Sequence, residues 1–331
     1  MKIVFIYEHF TPPFDEGIKN FAYRVHRELS RSHMVRVMRY LRHMPHFLNA
    51  LLMVPRIVVQ SMWFRAEKII FIPQAALTFS SLVKISMLQS LFPGKVTVVG
   101  VQKRILAPWQ EKIVARVKLR DILVLSSAMA KSLQDLGIDS TILNLGVDLG
   151  QYKPVSNKQA LREKYAIPAD QLVVLHVGHI KRSRNIAWLA EVQRALPGTQ
   201  VVLVGSTTTG RDIDLGAQLE QAGVIVLREY LQDIHELYQL ADVYCFTVMS
   251  DAGAMETPLS ILESMATNLP VVTTRFGRLP EQFSQDEYYR YVNSADEMIA
   301  VLRTGFGDEC NNRQKMNEYS WAATAQRLMA A

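Results

Sequence analysis

Residues Asp251 to Pro270 read DAGAMETPLSILESMATNLP. A polar loop closes on Glu256-Thr257-Pro258 and an apolar run of helical period follows. Thr257 suits the N-cap and Pro258 the first helical position. A helix opening there leaves backbone N–H groups near Leu259 and Ser260 at the positive end of its dipole, a seat for an anion such as phosphate. Glu256 stands beside the opening and Glu263 lies further down the helix. Carboxylates cannot hold a phosphate, but they accept hydrogen bonds from sugar hydroxyls. The next run, Leu269 to Thr274, reads as a buried strand.

Outward from this stretch, short apolar runs alternate with amphipathic ones, the pattern of an α/β protein with parallel sheets. The first half offers strands at 2–7, 34–39, 69–72, 96–101, 122–125 and 141–145. The second half offers 172–177, 200–204, 224–227, 243–247 and 270–274. Each half thus has about the complement of one doubly wound domain. Residues 146–157, containing Gly, Pro and Asp without a clear period, mark the boundary, giving domains at 1–150 and 151–331.

The chain has 331 residues, about half of them apolar, enough for two domains with cores of their own. Its two cysteines, Cys245 and Cys310, are too few for a disulfide framework or a zinc cluster and favour a reducing compartment. The N-terminus MKIVFIYEHF reads as a first strand with no secretory leader. The long apolar stretch 46–64 is interrupted by Asn49, Pro55, Arg56 and Gln60, so no transmembrane span is expected. A cytoplasmic protein, peripheral on the inner membrane face, is the expectation. Residues 1–150 hold 20 Lys+Arg against 10 Asp+Glu, and the remainder 17 against 21. The basic half calls for an anionic partner, and Arg39–Lys68 adds large apolar residues to that charge. An interfacial helix on anionic lipid fits this segment, and so does a helix packed on the sheet with snorkelling arginines. Only the charge speaks for nucleic acid, which is not expected as a partner. A nicotinamide dehydrogenase is disfavoured because neither half opens with the dinucleotide glycine fingerprint.

The segment ILESMA…PVVTT resembles the signature of the retaining glycosyltransferases of family 4. Elsewhere in the chain, TPPFDEG, NLGVDLGQYKP, HVGHIKRSRNI and the closing Tyr319-Ser320-Trp321 resemble that family's segments in the same order. The resemblance implies the GT-B fold: two Rossmann-like domains facing each other across a cleft, with the C-terminal helix returning to the first. It implies transfer of a sugar from a UDP- or GDP-linked donor to a glycan or lipid-linked glycan hydroxyl, with retention and without a metal or other cofactor. The donor diphosphate would lie on the turn after the second domain's first strand, at Gly178, His179, Lys181 and Arg184, where the family has an Arg at 179 and a Lys at 184. Arg184 is a permanent planar cation, whereas His179 helps only when protonated. Gly17 would admit the diphosphate from the other side. Gly205 and Ser206 (with Thr207) would touch the nucleotide, Arg228 to Leu231, including Tyr230, would border the base, and Glu263 would hold the ribose.

The chain departs from the family at three places. Met255 occupies the family's first acidic position, leaving Glu256 to serve one residue later. His179 replaces an Arg. The first domain has no His at 100–102, where the family carries one, so His9 is the catalytic candidate beside Glu256 and Arg184, with Gln74 or Gln102 as polar substitutes. These departures keep a second reading open, a catalytically weakened nucleotide-sugar-binding protein or partner subunit.

Overall fold

The apolar runs assemble into two separate six-stranded sheets, each entirely parallel. The computed structural model describes every residue except 15, 42, 74–76, 103–105, 118, 207–211 and 250–253. The chain divides into two compact units. One comprises Met1–Leu145, Gly253–Glu256 and Trp321–Ala331; the other comprises Gly146–Ala252 and Thr257–Ser320.

In the first unit the strands are β1 (Lys2–Tyr7), β2 (Met34–Met38), β3 (Lys68–Ile72), β4 (Val96–Gly100), β5 (Ile122–Val124) and β6 (Ser140–Ile142). They lie in the order β2-β1-β3-β4-β5-β6. Strands β1, β3 and β4 are flanked on both sides and nearly all their side chains are buried, which is why they read as continuous Val/Ile/Phe runs. The helix Gly17–Leu29 buries Phe21, Ala22, Val25 and Leu29 along one face. The C-terminal helix Trp321–Ala330 belongs to this unit, as expected. Its Trp321 ring lies 6.2 Å from that of Phe21, and Thr324 Oγ1 donates to the Asn144 carbonyl at 3.0 Å.

In the second unit the strands are β7 (Leu172–Val177), β8 (Thr199–Val204), β9 (Ile225–Leu227), β10 (Val243–Phe246), β11 (Val271–Thr273) and β12 (Tyr289–Tyr291). Their order is β12-β11-β10-β7-β8-β9. The chain runs from β7 outward through β8 to β9, then returns to the other side of β7 with β10. The switch point of this sheet therefore lies between β7 and β10, and the crevice at their carboxyl ends is where such sheets place ligands. Its core joins Val174, Leu203, Cys245 and Val272 from the sheet to Leu189, Leu215 and Met298 from the helices. Strand β12 went unpredicted because YRY is a three-residue edge strand without an apolar run.

Residues 146–152, aperiodic in sequence, are held by specific bonds. Val147 pairs with Tyr319–Ser320, and the Arg313 guanidinium donates to the Leu149 and Tyr152 carbonyls at 2.9 and 2.7 Å.

Candidate functional site

At the switch point, β7 ends in Val177 and the chain turns through Gly178, whose amide donates to the Val204 carbonyl at 3.0 Å. A single 3-10 turn, Arg182–Arg184, follows, closed by Asn185 in the left-handed region (φ 54°), where Asn is among the residues that fit best. The residues after β10 pin this turn. Thr247 Oγ1 donates to the Arg184 carbonyl at 2.7 Å, and Asn185 Nδ2 donates to the Thr247 carbonyl at 3.1 Å. As a result Arg184 is only 7% exposed, while His179 and Lys181 are half-buried and Arg182 is exposed. Burial lowers the Arg184 pKa to about 10, with Tyr244 acting the other way, so the guanidinium remains charged at neutral pH. Arg182 pairs with Asp212 at 3.1 Å. Of the four basic or titratable side chains in the turn, only Arg184 is held inside the switch-point edge.

The helix after β10 runs Leu259–Ala266 and begins one residue later than the sequence implies. Pro258 occupies the N-cap (φ −67°, ψ 124°) and no side chain caps the helix. Thr257, expected as the cap, is buried and donates its hydroxyl to Gln282 Oε1 at 2.9 Å. With Pro258 at the N-cap, Thr257 stands one residue before the capping position, its hydroxyl turned towards Gln282. Pro258 has no side-chain acceptor to offer the first amides of this eight-residue helix, the arrangement in which a helix N-terminus can take an anion. Within the helix, Ser260 hydrogen-bonds the buried Tyr244 hydroxyl. Glu263, half-buried, accepts from Tyr238 Oη at 2.8 Å. Tyr238 stacks on Tyr244 with ring centroids 5.8 Å apart, and the Tyr244 hydroxyl lies 3.4 Å from the Val177 carbonyl. A wall of aromatic rings thus connects Glu263 to the end of β7. Burial raises the pKa of both tyrosines, so each hydroxyl stays a neutral donor.

The remaining expected residues are distributed as follows. Gly205 donates to the Leu227 carbonyl at 2.8 Å, and a Cβ there would meet Ile180 at 3.2 Å, so Ile180 already fills that space. Ser206 follows it, half-buried. The Arg228 guanidinium pairs with Glu220 and lies against Gly216, where a Cβ would stand 2.9 Å from its Nη2. Its side chain is therefore turned to the helix Ile213–Gln221. Tyr230 is exposed. In the first unit, Gly17 opens its helix without a side-chain cap, and a Cβ on it would meet Met255 Sδ at 3.1 Å, so the glycine makes room for Met255. Glu256 is buried and its amide approaches the Val101 carbonyl at 3.4 Å. His9 packs edge-on against Tyr40 (5.5 Å), beside a buried Glu8 that accepts from Lys84 at 2.9 Å and from Tyr40 at 3.1 Å. Gln74 and Thr207 lie outside the described residues, as do 251–253 of the opening stretch.

Two residues with a place in the site escaped the sequence reading. Tyr238, in the short helix His235–Leu240, leaves no signal of its own in the sequence. His176 did leave a signal, a lone imidazole in the apolar strand LVVLHV. Among the described residues, no group of three His, Cys, Asp or Glu side chains is placed to hold a metal ion.

Residues 171–304 match the family model described as Glycosyl transferases group 1. Sulfoquinovosyl transferase SQD2 of Arabidopsis thaliana is 24% identical over 225 residues, covering 62% of this chain and 43% of that protein. An Escherichia coli protein, UDP-Gal:alpha-D-GlcNAc-diphosphoundecaprenol alpha-1,3-galactosyltransferase, is 23% identical over 63% of this chain and 57% of its own length. The matches thus span about half the length of these curated relatives. Among solved structures, sucrose-phosphate synthase from Thermosynechococcus elongatus aligns with a TM-score of 0.80 at 16% identity, over 99% of this chain and 97% of that one. Anabaena Alr3699/HepE in complex with UDP-glucose aligns at 0.75 and 16%, over 100% and 98%. The fold is GT-B, two Rossmann-like domains in one chain. The residues similar to the family model, 171–304, lie almost wholly in the second unit.

Proposed function

We propose that the protein is a retaining glycosyltransferase that moves a sugar from a UDP- or GDP-linked donor to a hydroxyl of a glycan or lipid-linked glycan, without a metal. One observation carries this reading. A buried, charged Arg184 and a helix without a side-chain cap belong to the two chain segments that leave β7 and β10 at the switch point. Both are built to neutralise a diphosphate, and departure of a nucleoside diphosphate is the step that most needs neutralisation. Glu263, held by Tyr238, is an acceptor for ribose hydroxyls. The leaving phosphate oxygen takes the acceptor proton, so the reaction calls for no separate base. HepE, of like fold, is known in complex with UDP-glucose, which supports the donor class. A thermal-shift panel of UDP- and GDP-sugars tests the reading, because a ligand bound only to the native state raises Tm by mass action. A shift for one nucleotide identifies the donor base, and no shift from any of them contradicts the proposal. The changes at 179 and 255 favour one rival, a binding protein without turnover, which would show a shift and no release of free nucleotide.

The acceptor side is read from the first unit. The helix His46–Phe64 buries Asn49, Met53, Ile57 and Ser61, one row at four-residue spacing. Its opposite row is open: Leu51 is 70% exposed, Val59 64%, Met62 66% and Trp63 74%. The helix Phe79–Leu91 adds exposed Val83, Met87 and Leu91, and the helix Pro108–Val114 adds Trp109 and Ile113. Between Glu28 and Glu111 the sequence has eleven Lys+Arg and a single carboxylate, Glu67. Arg36 lies over the Trp63 and Phe64 rings at 4.6 and 4.7 Å. The helix packs through one row and leaves the other exposed. An apolar row in an almost acid-free field fits an anionic lipid surface, where a lipid-linked acceptor would be found. The E. coli relative, whose name specifies a diphosphoundecaprenol-linked acceptor, agrees. No described helix is long and apolar enough to cross a membrane, and the free thiols Cys245 and Cys310 fit the cytoplasmic leaflet. The protein should co-sediment with phosphatidylglycerol-containing vesicles but not with pure phosphatidylcholine. Trp63→Glu should weaken that binding by about 10-fold or more, as expected for losing one large apolar contact. Equal binding by the variant would remove this face from the account.

A further inference from the structure

His176 is 1% exposed in the middle of β7. Its Nδ1 lies 2.8 Å from the Cys245 carbonyl oxygen. A carbonyl only accepts, so Nδ1 carries the hydrogen and Nε2 presents a lone pair. The ring stacks with Tyr244 (6.4 Å, 10°) and Phe246 (6.2 Å, 25°), which fixes its plane. Nε2 is buried and has no hydrogen-bond partner among the described residues. A buried acceptor left without a donor is unfavourable, and Phe or Leu at this position would avoid the penalty. The neighbours of Nε2 indicate what the acceptor serves. A Cβ on Gly178 would stand 2.8 Å from Nε2 and 3.7 Å from Arg184 Nη1. Imidazole and guanidinium thus border the same small space, which the glycine keeps open.

We propose that His176 is a positioning residue for the diphosphate clamp: when the diphosphate binds, the Arg184 guanidinium turns within the space beside Gly178 and donates a hydrogen bond to the Nε2 lone pair, which fixes the direction in which that fork faces the ligand. The proposal rests on the reading of Arg184 as the clamp. It requires a neutral imidazole, because a second cation beside Arg184 would repel it. The environment keeps His176 neutral: burial lowers its pKa to about 4, the bond to Cys245 opposes this, and the charge of Arg184 lowers it further. The titratable groups against the ring are Arg184 from the turn and Tyr244 and Cys245 from β10, and burial keeps the latter two uncharged. The unfolded chain takes up this proton near its ordinary value of 6.5 and the folded chain only near 4. Stability therefore falls as pH drops from 6.5 towards 4, and His176→Gln should lessen that slope.

Two variants separate positioning from mere packing. His176→Asn keeps a donor for the Cys245 carbonyl and offers nothing at the Nε2 position. His176→Gln brings its amide oxygen to that position. Titration calorimetry of UDP, or of GDP if that is the base bound, should show the Gln variant within about 3-fold of the parent and the Asn variant weaker by about 10-fold, the scale of one lost charge-assisted bond. Native-like melting of both would show that folding is intact. Parent-like affinity in the Asn variant, or equal loss in both, overturns the proposal. Failure of the clamp itself is distinguishable, because Arg184→Met would then bind nucleotide as well as the parent.

Discussion

Arg184→Met should weaken binding of the donor's nucleoside diphosphate by about 30-fold, a loss of about 2 kcal/mol, typical of a hydrogen bond to a charged group. Methionine is of similar length and apolar, so it fills the buried space without its charge. The bond that holds the turn survives the change, because Thr247 donates to the Arg184 main-chain carbonyl and not to its side chain. Melting should therefore shift little while nucleotide affinity drops, and the drop should shrink at high salt as screening reduces the parent's advantage. Arg184→Lys should recover part of the loss, since a point charge replaces the fork. The basic neighbours cannot fully compensate: Arg182 is committed to Asp212, and Lys181 and His179 stand nearer the surface. Equal affinity for parent and Met variant, measured by calorimetry, would move the diphosphate elsewhere.

Glu263 should show a two-part response. Glu263→Gln retains an oxygen for the Tyr238 hydroxyl but loses a charged acceptor, so nucleotide-sugar affinity should fall by about 10-fold at nearly unchanged Tm. Glu263→Ala removes both. The Tyr238 hydroxyl, fully buried and 2.8 Å from the carboxylate, would lose this acceptor, at a cost of about 1–3 kcal/mol in stability. The Ala variant should therefore lose affinity and melt earlier. Tyr238→Phe isolates the structural share: it should cost less affinity than Glu263→Gln, because the carboxylate stays. If Glu263→Gln binds UDP and GDP sugars like the parent, the ribose role falls and Glu263 is simply the partner of Tyr238.

What the sequence could express was set by whether a feature is local. The strands β1 and β7 were legible to the residue, because buried parallel strands are bare apolar runs with charged or polar neighbours. Strand β12 was not, since YRY is a short edge run whose state comes from its pairing with β11, next to Asn312, whose Nδ2 donates to the Leu269 and Tyr288 carbonyls. The helix after β10 was foreseen, but its first residue was not. Thr257 has the composition of a cap, but Pro258 takes that position, and the direction of the Thr257 hydroxyl is set by a tertiary contact with Gln282. Arg184 was found through its motif, whereas its burial depends on Thr247, sixty-three positions away. Likewise Gly17 read as a glycine for ligand approach and Gly178 as part of the turn under the diphosphate. The structure shows that Met255 and His176, respectively, border the space a Cβ would need there.

The central claim, retaining transfer from a nucleotide sugar on this chain's own machinery, is tested most directly by following donor hydrolysis. The base and sugar that give the largest thermal shift would be incubated with the protein, free nucleotide quantified, and the released sugar observed by proton NMR before mutarotation. The account predicts slow turnover, loss of turnover in Arg184→Met, and a first-formed sugar with the donor's anomeric configuration. Inverted configuration would contradict the retaining mechanism, and tight binding with no nucleotide release, even with lipid-linked or glycan acceptors present, would contradict the transferase itself.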